Sequence, residues 1–159
     1  MEDFSNSPTA QIGYLLHHLS SALLKQSDQL LMERLGIGFS QFKIMRIVQS
    51  HPQATQRSIA EQLGQTEASI SRQIKLLQEQ ALISVVVSPE NRREHHSVLT
   101  VKGVRIVQEV FRLLTESYAP MFAELGEKRQ KQLVESLGVM HQHLCGSGKI
   151  GACHQPDNK

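Results

Sequence analysis

The chain has 159 residues, 40% hydrophobic and 20% charged, with a net charge of +2. That is the size and balance of one soluble globular domain and excludes collagen-like, disordered and disulfide-framework chains. Aromatics make up only 4% with no Trp, too few for a platform that stacks single-stranded bases. No apolar run approaches the ~20 residues that span a bilayer, and Met1-Glu2-Asp3-Phe4 lacks the basic flank and apolar stretch of a signal peptide, so a cytoplasmic location with no membrane partner is expected. Charge is uneven: residues 40–103 carry eight basic and five acidic side chains against two and four in residues 1–39, which makes the middle the basic part.

From Pro8 to about Gly36, Ile12, Leu15, Leu16, Leu19, Leu23, Leu30 and Leu31 recur mostly at three and four, predicting a long amphipathic helix. Pro8 suits its first turn and Gly36 its C-terminus. Ser40 is the expected N-cap of a helix over 41–49 that His51-Pro52 closes. Thr55 caps a short helix with Ile59, Ala60 and Leu63 that stops at Gly64, and Thr66 caps another from Glu67 to about Gln80 with Ile70, Ile74 and Leu77 inward. The run Leu82-Ile83-Ser84-Val85-Val86-Val87, polar residues 88–93, then Ser97-Val98-Leu99, predicts a β-hairpin with a charged tip. Thr100 caps a further long helix with Val104, Val107, Val110, Phe111, Leu114 and Tyr118 on one face, interrupted near Pro120. A last helix runs from about Glu127 to Leu144 with Leu133, Leu137, Met140 and Leu144 in register, and the tail 146–159 has no periodicity and is expected to be flexible. The fold class is mainly α with a small β-hairpin.

Residues 55–80 read as helix, tight turn, helix, the unit that lays its second helix in the DNA major groove. Ile59, Leu63, Ile70, Ile74 and Leu77 fix the angle of the pair, and Gly64 permits the turn. Outward at the start of the second helix are Glu67, Ala68, Ser69, Ser71, Arg72 and Gln73. Small residues there allow close approach, while Arg72 and Gln73 offer forked contacts to guanine and adenine edges. A hairpin with a basic tip directly after this unit makes a winged helix.

Five blocks in this order, Ser40 to Val48, Ser58-Ile59-Ala60-Glu61-Gln62-Leu63-Gly64, Ala68-Ser69-Ile70-Ser71-Arg72, Ser88-Pro89-Glu90-Asn91-Arg92-Arg93 and Leu99-Thr100-Val101-Lys102-Gly103, resemble the MarR family of bacterial transcriptional regulators over roughly residues 10–145. The resemblance implies a single MarR-like domain, with dimerisation helices over 8–36 and 104–145 and a winged-helix DNA-binding lobe over 37–103. It implies a homodimer on a pseudo-palindromic operator, with Ser69, Arg72 and Gln73 facing bases, Thr66 and Ser71 facing the backbone, and Arg92 and Arg93 in the wing's groove. It also implies a small-molecule effector held between the first helix and the lobe, toward which His17 or His18 is placed. Two departures stand out. The wing block has neutral Ser88 and Asn91 where the family usually carries Asp, leaving the following arginine a weaker anchor. Glu67 suits the helix dipole but opposes a phosphate.

His141, His143, Cys145, Cys153 and His154 are soft ligands within fourteen residues, which raises a metal- or redox-sensing regulator as an alternative. The spacing argues against it, since His141 and His143 point to opposite sides of a helix. His143, Cys145 and Cys153 remain the candidate set. No cofactor is expected, and no phosphate loop, zinc-protease motif or nucleophile with its base supports an enzyme. The expected function is a dimeric, effector-responsive DNA-binding repressor. A winged-helix protein-interaction module is its rival, favoured by Glu67, Asn91 and the small net charge.

Overall fold

The computed structural model describes residues 7–87 and 95–145, and the chain divides into two compact units, residues 1–42 and 43–159. Helix α1 (Pro8–Leu35) fills most of the first unit. Ser7 Oγ accepts the Ala10 N–H at 3.2 Å, Pro8 occupies the first turn, and Gly36, in the left-handed region at φ 66°, ends the helix by donating its N–H to Met32 O. Ser27, Leu31 and Ile37 are buried. Of the apolar face read from the sequence, Ile12, Leu15 and Leu19 are each at least 47% exposed, and Tyr14, Leu24 and Met32 outside that face are at least 43% exposed.

Helix α2 (Phe39–Ser50) begins in the first unit and continues in the second. Its N-terminus differs from the sequence expectation. Ser40 lies inside the first turn and is not the cap; Asp28 Oδ1 accepts the Phe39 N–H at 2.8 Å and Gln41 Oε1 accepts the Gly38 N–H at 2.9 Å. Asp28, eleven residues upstream of Phe39, and Gln41 in the first turn each satisfy one of these donors, and the helix starts earlier than the local signal predicts.

The second unit continues with α3 (Gln56–Leu63), α4 (Glu67–Glu79), β1 (Ile83–Val87), β2 (His95–Leu99), α5 (Val101–Ala123) and α6 (Gly126–Cys145). Its buried apolar residues are Ile44, Met45, Ile47 and Val48 of α2, Ile59 and Ala60 of α3, Ile70, Ile74 and Leu77 of α4, Leu82 and Ile83 at the start of the hairpin, and Val107 and Val110 of α5. The two strands pair antiparallel, with Ile83 opposite Leu99 and Val87 opposite His95. β2 thus starts two residues before Ser97, across polar His95 and His96 that carry no strand signal. His96 Nδ1 is buried without a hydrogen-bond partner among the described residues.

The Leu-Thr-x-x-Gly block has a structural explanation. Thr100 Oγ1 accepts the Gly103 N–H at 2.9 Å, capping α5, and donates to Ala81 O at 2.8 Å. Thr100 N–H donates to Leu82 O, and Lys102 Nζ reaches Gln80 O at 2.9 Å. One threonine therefore joins the start of α5 to the junction of α4 and β1. At that junction Ala81 takes φ 57°, a left-handed position usually held by glycine, while its N–H and that of Leu82 close the end of α4 on Gln78 O and Leu77 O.

Helix α5 does not stop at Pro120 but continues to Ala123. A proline removes one N–H without removing the acceptors around it, so a helix held elsewhere can pass through. The turn comes later, at Gly126 with φ 67°, where Gln130 Nε2 donates to Phe122 O. Phe111, expected on the inward stripe, is 46% exposed and lies under the Arg46 guanidinium, 4.9 Å from its ring centroid. In α6 no residue from Gly126 to Leu144 is buried, and Leu133, Val134, Leu137, Val139 and Leu144 are exposed.

Candidate nucleic-acid interface

The helix-turn-helix is built by caps and one apolar stripe. Thr55 Oγ1 accepts the Ser58 N–H at 3.1 Å to start α3, and Gly64 at φ 62° ends it, with the Gln65 N–H closing back on Ala60 O. Thr66 Oγ1 then accepts the Ser69 N–H at 3.2 Å to start α4. Ile70, Ile74 and Leu77 face inward at spacings of four and three, which turns the opposite side of α4 to solvent.

That side carries Glu67, Ala68, Ser71, Arg72, Lys75, Leu76, Gln78 and Glu79, all exposed. Arg72 lies near the middle of the face, and Ser71 and Thr66 are exposed. Ser69 and Gln73 are half-buried at its flanks, and the Ser69 hydroxyl donates to Gln65 Oε1 at 3.3 Å. The site residues read from the sequence on this helix are therefore brought to one surface, with Ser69 and Gln73 at its edge. Sequence reasoning missed Lys75 and Leu76. Both follow from continuing the outward register past Arg72, since Lys75 lies seven residues after Ala68 and Leu76 four after Arg72.

Glu67 has a cationic neighbour. Arg57 on α3 pairs with Glu61 at 3.0 Å, and its guanidinium is held above the ordinary arginine value first by that hydrogen bond, then by the charges of Glu61 and Glu67. The acidic start of α4 is partly offset from the preceding helix, so it opposes an approaching phosphate less than an isolated carboxylate would.

Arg92 and Arg93, with Ser88 and Asn91, lie outside the described residues. So do Cys153, His154 and the Cys145 side chain; His141 is half-buried and His143 exposed on α6. Among the described residues no three His, Cys, Asp or Glu side chains converge as a metal site requires. His17 and His18 are exposed on α1, where the His18 ring stacks on Tyr14 at 5.8 Å. No described helix is long and apolar enough to cross a membrane.

A model described as MarR family matches residues 35–94. Among solved structures, the chain is similar to MepR, a transcription regulator of the Staphylococcus aureus multidrug efflux pump MepA, at 25% identity and TM-score 0.68, covering 83% of this chain and 97% of that one. A mutant of MepR bound to an oligodeoxyribonucleotide matches at 25% identity and TM-score 0.59, covering 84% and 97%. A Mycobacterium tuberculosis MarR family protein in complex with p-aminosalicylic acid shares the fold at 18% identity and TM-score 0.68, covering 80% and 96%. No curated protein sequence matches the chain. The MarR family match lies on the helix-turn-helix and hairpin, and the likeness to MepR extends over most of the chain, so residues 35–94 are a winged helix-turn-helix of the kind found in MarR-family transcriptional regulators.

Proposed function

We propose that this chain is a sequence-specific regulator that binds double-stranded DNA as a homodimer on a pseudo-palindromic operator, represses transcription from it, and is released by a small-molecule effector. The observation that carries the reading is the outward face of α4, where Arg72 and Lys75 stand exposed on a helix capped and aimed by the preceding one. In this reading Arg72 and Gln73 contact base edges with Ser69, Thr66 and Ser71 hold the backbone, and Arg92 and Arg93 enter the minor groove. The MepR structure with an oligodeoxyribonucleotide supports the DNA assignment. Dimerisation is supported by the apolar side chains left exposed on α1 and α6, since helices that carry such faces gain by burying them against a copy. The structure with p-aminosalicylic acid supports a small aromatic acid as the effector class, with exposed His17 and His18 as candidate contacts. Effector binding acts by changing the separation of two recognition helices that must meet half-sites about one turn apart.

Fluorescence anisotropy with the intergenic DNA beside the chain's own gene, against a scrambled duplex of equal length, tests the reading. Tight binding to the native duplex that weakens by about three orders of magnitude between roughly 50 and 200 mM salt is expected. Equal binding to both duplexes, across promoter sequences generally, refutes it.

A further inference from the structure

The outward face of α4 holds a feature that phosphate and guanine contacts leave unused. Leu76 is 47% exposed, in line with exposed Ala68 and Arg72 at steps of four residues. Each step turns the side chain by about 40° and moves it about 6 Å along the axis. The stripe from Ala68 to Leu76 therefore spans about 12 Å, or three to four base pairs at about 3.4 Å each. Around it the exposed residues Glu67, Ser71, Lys75, Gln78 and Glu79 are all polar, so Leu76 has no apolar neighbour on that face of α4. The partner that fits must be anionic enough for Arg72 and Lys75 and yet offer small apolar groups. The major groove does so, because thymine projects its C5-methyl group there beside the acceptors of guanine.

Resting on the DNA-binding reading above, we propose that Ala68 and Leu76 are specificity-determining residues that contact thymine methyl groups on the two sides of a guanine bound by Arg72. The half-site then carries thymines flanking that guanine within three to four base pairs.

The test uses the full chain and its best-bound duplex, replacing one thymidine at a time by deoxyuridine, which removes the methyl group and leaves every hydrogen-bonding group. Wild-type affinity is expected to fall about fourfold at one thymine on each side of the guanine, the value of one buried methyl group. Leu76→Ala is expected to bind thymidine and deoxyuridine duplexes alike at one of these positions, and Ala68→Gly at the other. A variant that is only less stable keeps the wild-type ratio between the two duplexes, so the readout separates contact from folding. Methyl readout is overturned, with DNA binding intact, if no replacement changes wild-type affinity or if Leu76→Ala keeps the fourfold loss. If the wild type prefers no duplex over a scrambled one, the DNA-binding reading fails and this assignment fails with it.

Discussion

Replacing Gly103 by alanine separates helix propensity from packing, because the two act in opposite directions. A Cβ at Gly103 falls 2.1 Å from Leu82 O and 3.4 Å from Leu99 Cδ2. Ordinary contact requires more than an ångström of movement, and the obstructing atom is a backbone carbonyl that already accepts the Thr100 N–H. Overpacking of this kind costs about 1–3 kcal/mol, and loss of the Thr100 bond adds about 1 kcal/mol. Against this, alanine gains at most about 1 kcal/mol over glycine in a helix. A net loss of about 1–3 kcal/mol follows, which for a chain of this length lowers Tm by roughly 3–10 °C. Gly138, within α6, is the control, since a Cβ there meets nothing within 4 Å, and Gly138→Ala is expected to hold or raise Tm. Thermal unfolding followed by circular dichroism at fixed protein concentration reads both. A Gly103→Ala variant as stable as the wild type refutes the close packing of α5 on the start of β1.

Ala81→Gly is expected to raise stability by about 0.5–1 kcal/mol, because Ala81 holds φ 57° where glycine carries no strain; urea unfolding with an unchanged m-value checks it. Thr66→Ala removes the acceptor for the Ser69 N–H and should cost about 1 kcal/mol in the same assay. Arg72→Ala is expected to remove most discrimination between operator and scrambled duplex, whereas Lys75→Ala weakens both alike and lowers the salt slope by about one; anisotropy at several salt concentrations separates them. Glu109 is held below the ordinary carboxylate value by its hydrogen bond from Arg112, against the effect of burial. A depressed carboxyl contributes stability above its unfolded pKa and loses it as pH falls through the folded one. The Tm difference between wild type and Glu109→Gln should therefore be small, fade with salt, and shrink as pH falls through the acid range; a difference that grows there contradicts the assignment.

Much of the fold is legible because its signals are local. Thr55, Thr66 and Thr100 cap the helices they precede, Gly36 and Gly64 end theirs in the left-handed region, and the β-branched run before Val87 forms a strand. What escaped the sequence depends on contacts far along the chain. Ser40 reads as a cap until Asp28, eleven residues before Phe39, supplies the acceptor for the Phe39 N–H. Ala81 adopts a glycine conformation because the hydrogen bonds at the end of α4 and the Thr100 hydroxyl hold it there. His95 and His96 lack strand propensity and join β2 through pairing with Val87 and Val86. Within the candidate site, the N-terminal half of α4 was legible from the small and forked side chains at 68–73. Lys75 and Leu76 were not, because a lone Lys and a lone Leu on a helix carry no groove signal of their own and are placed outward only by the burial of Ile70, Ile74 and Leu77.

In the proposed function, two copies of this chain read inverted half-sites through α4. Selection of bound sequences from a random duplex pool, with sequencing of the enriched fraction, tests it most directly. Two inverted half-sites with centres about one helical turn apart, each containing a guanine that Arg72→Ala no longer selects, are the predicted result. A pool that stays unenriched, or that yields a single half-site with no inverted mate, contradicts it.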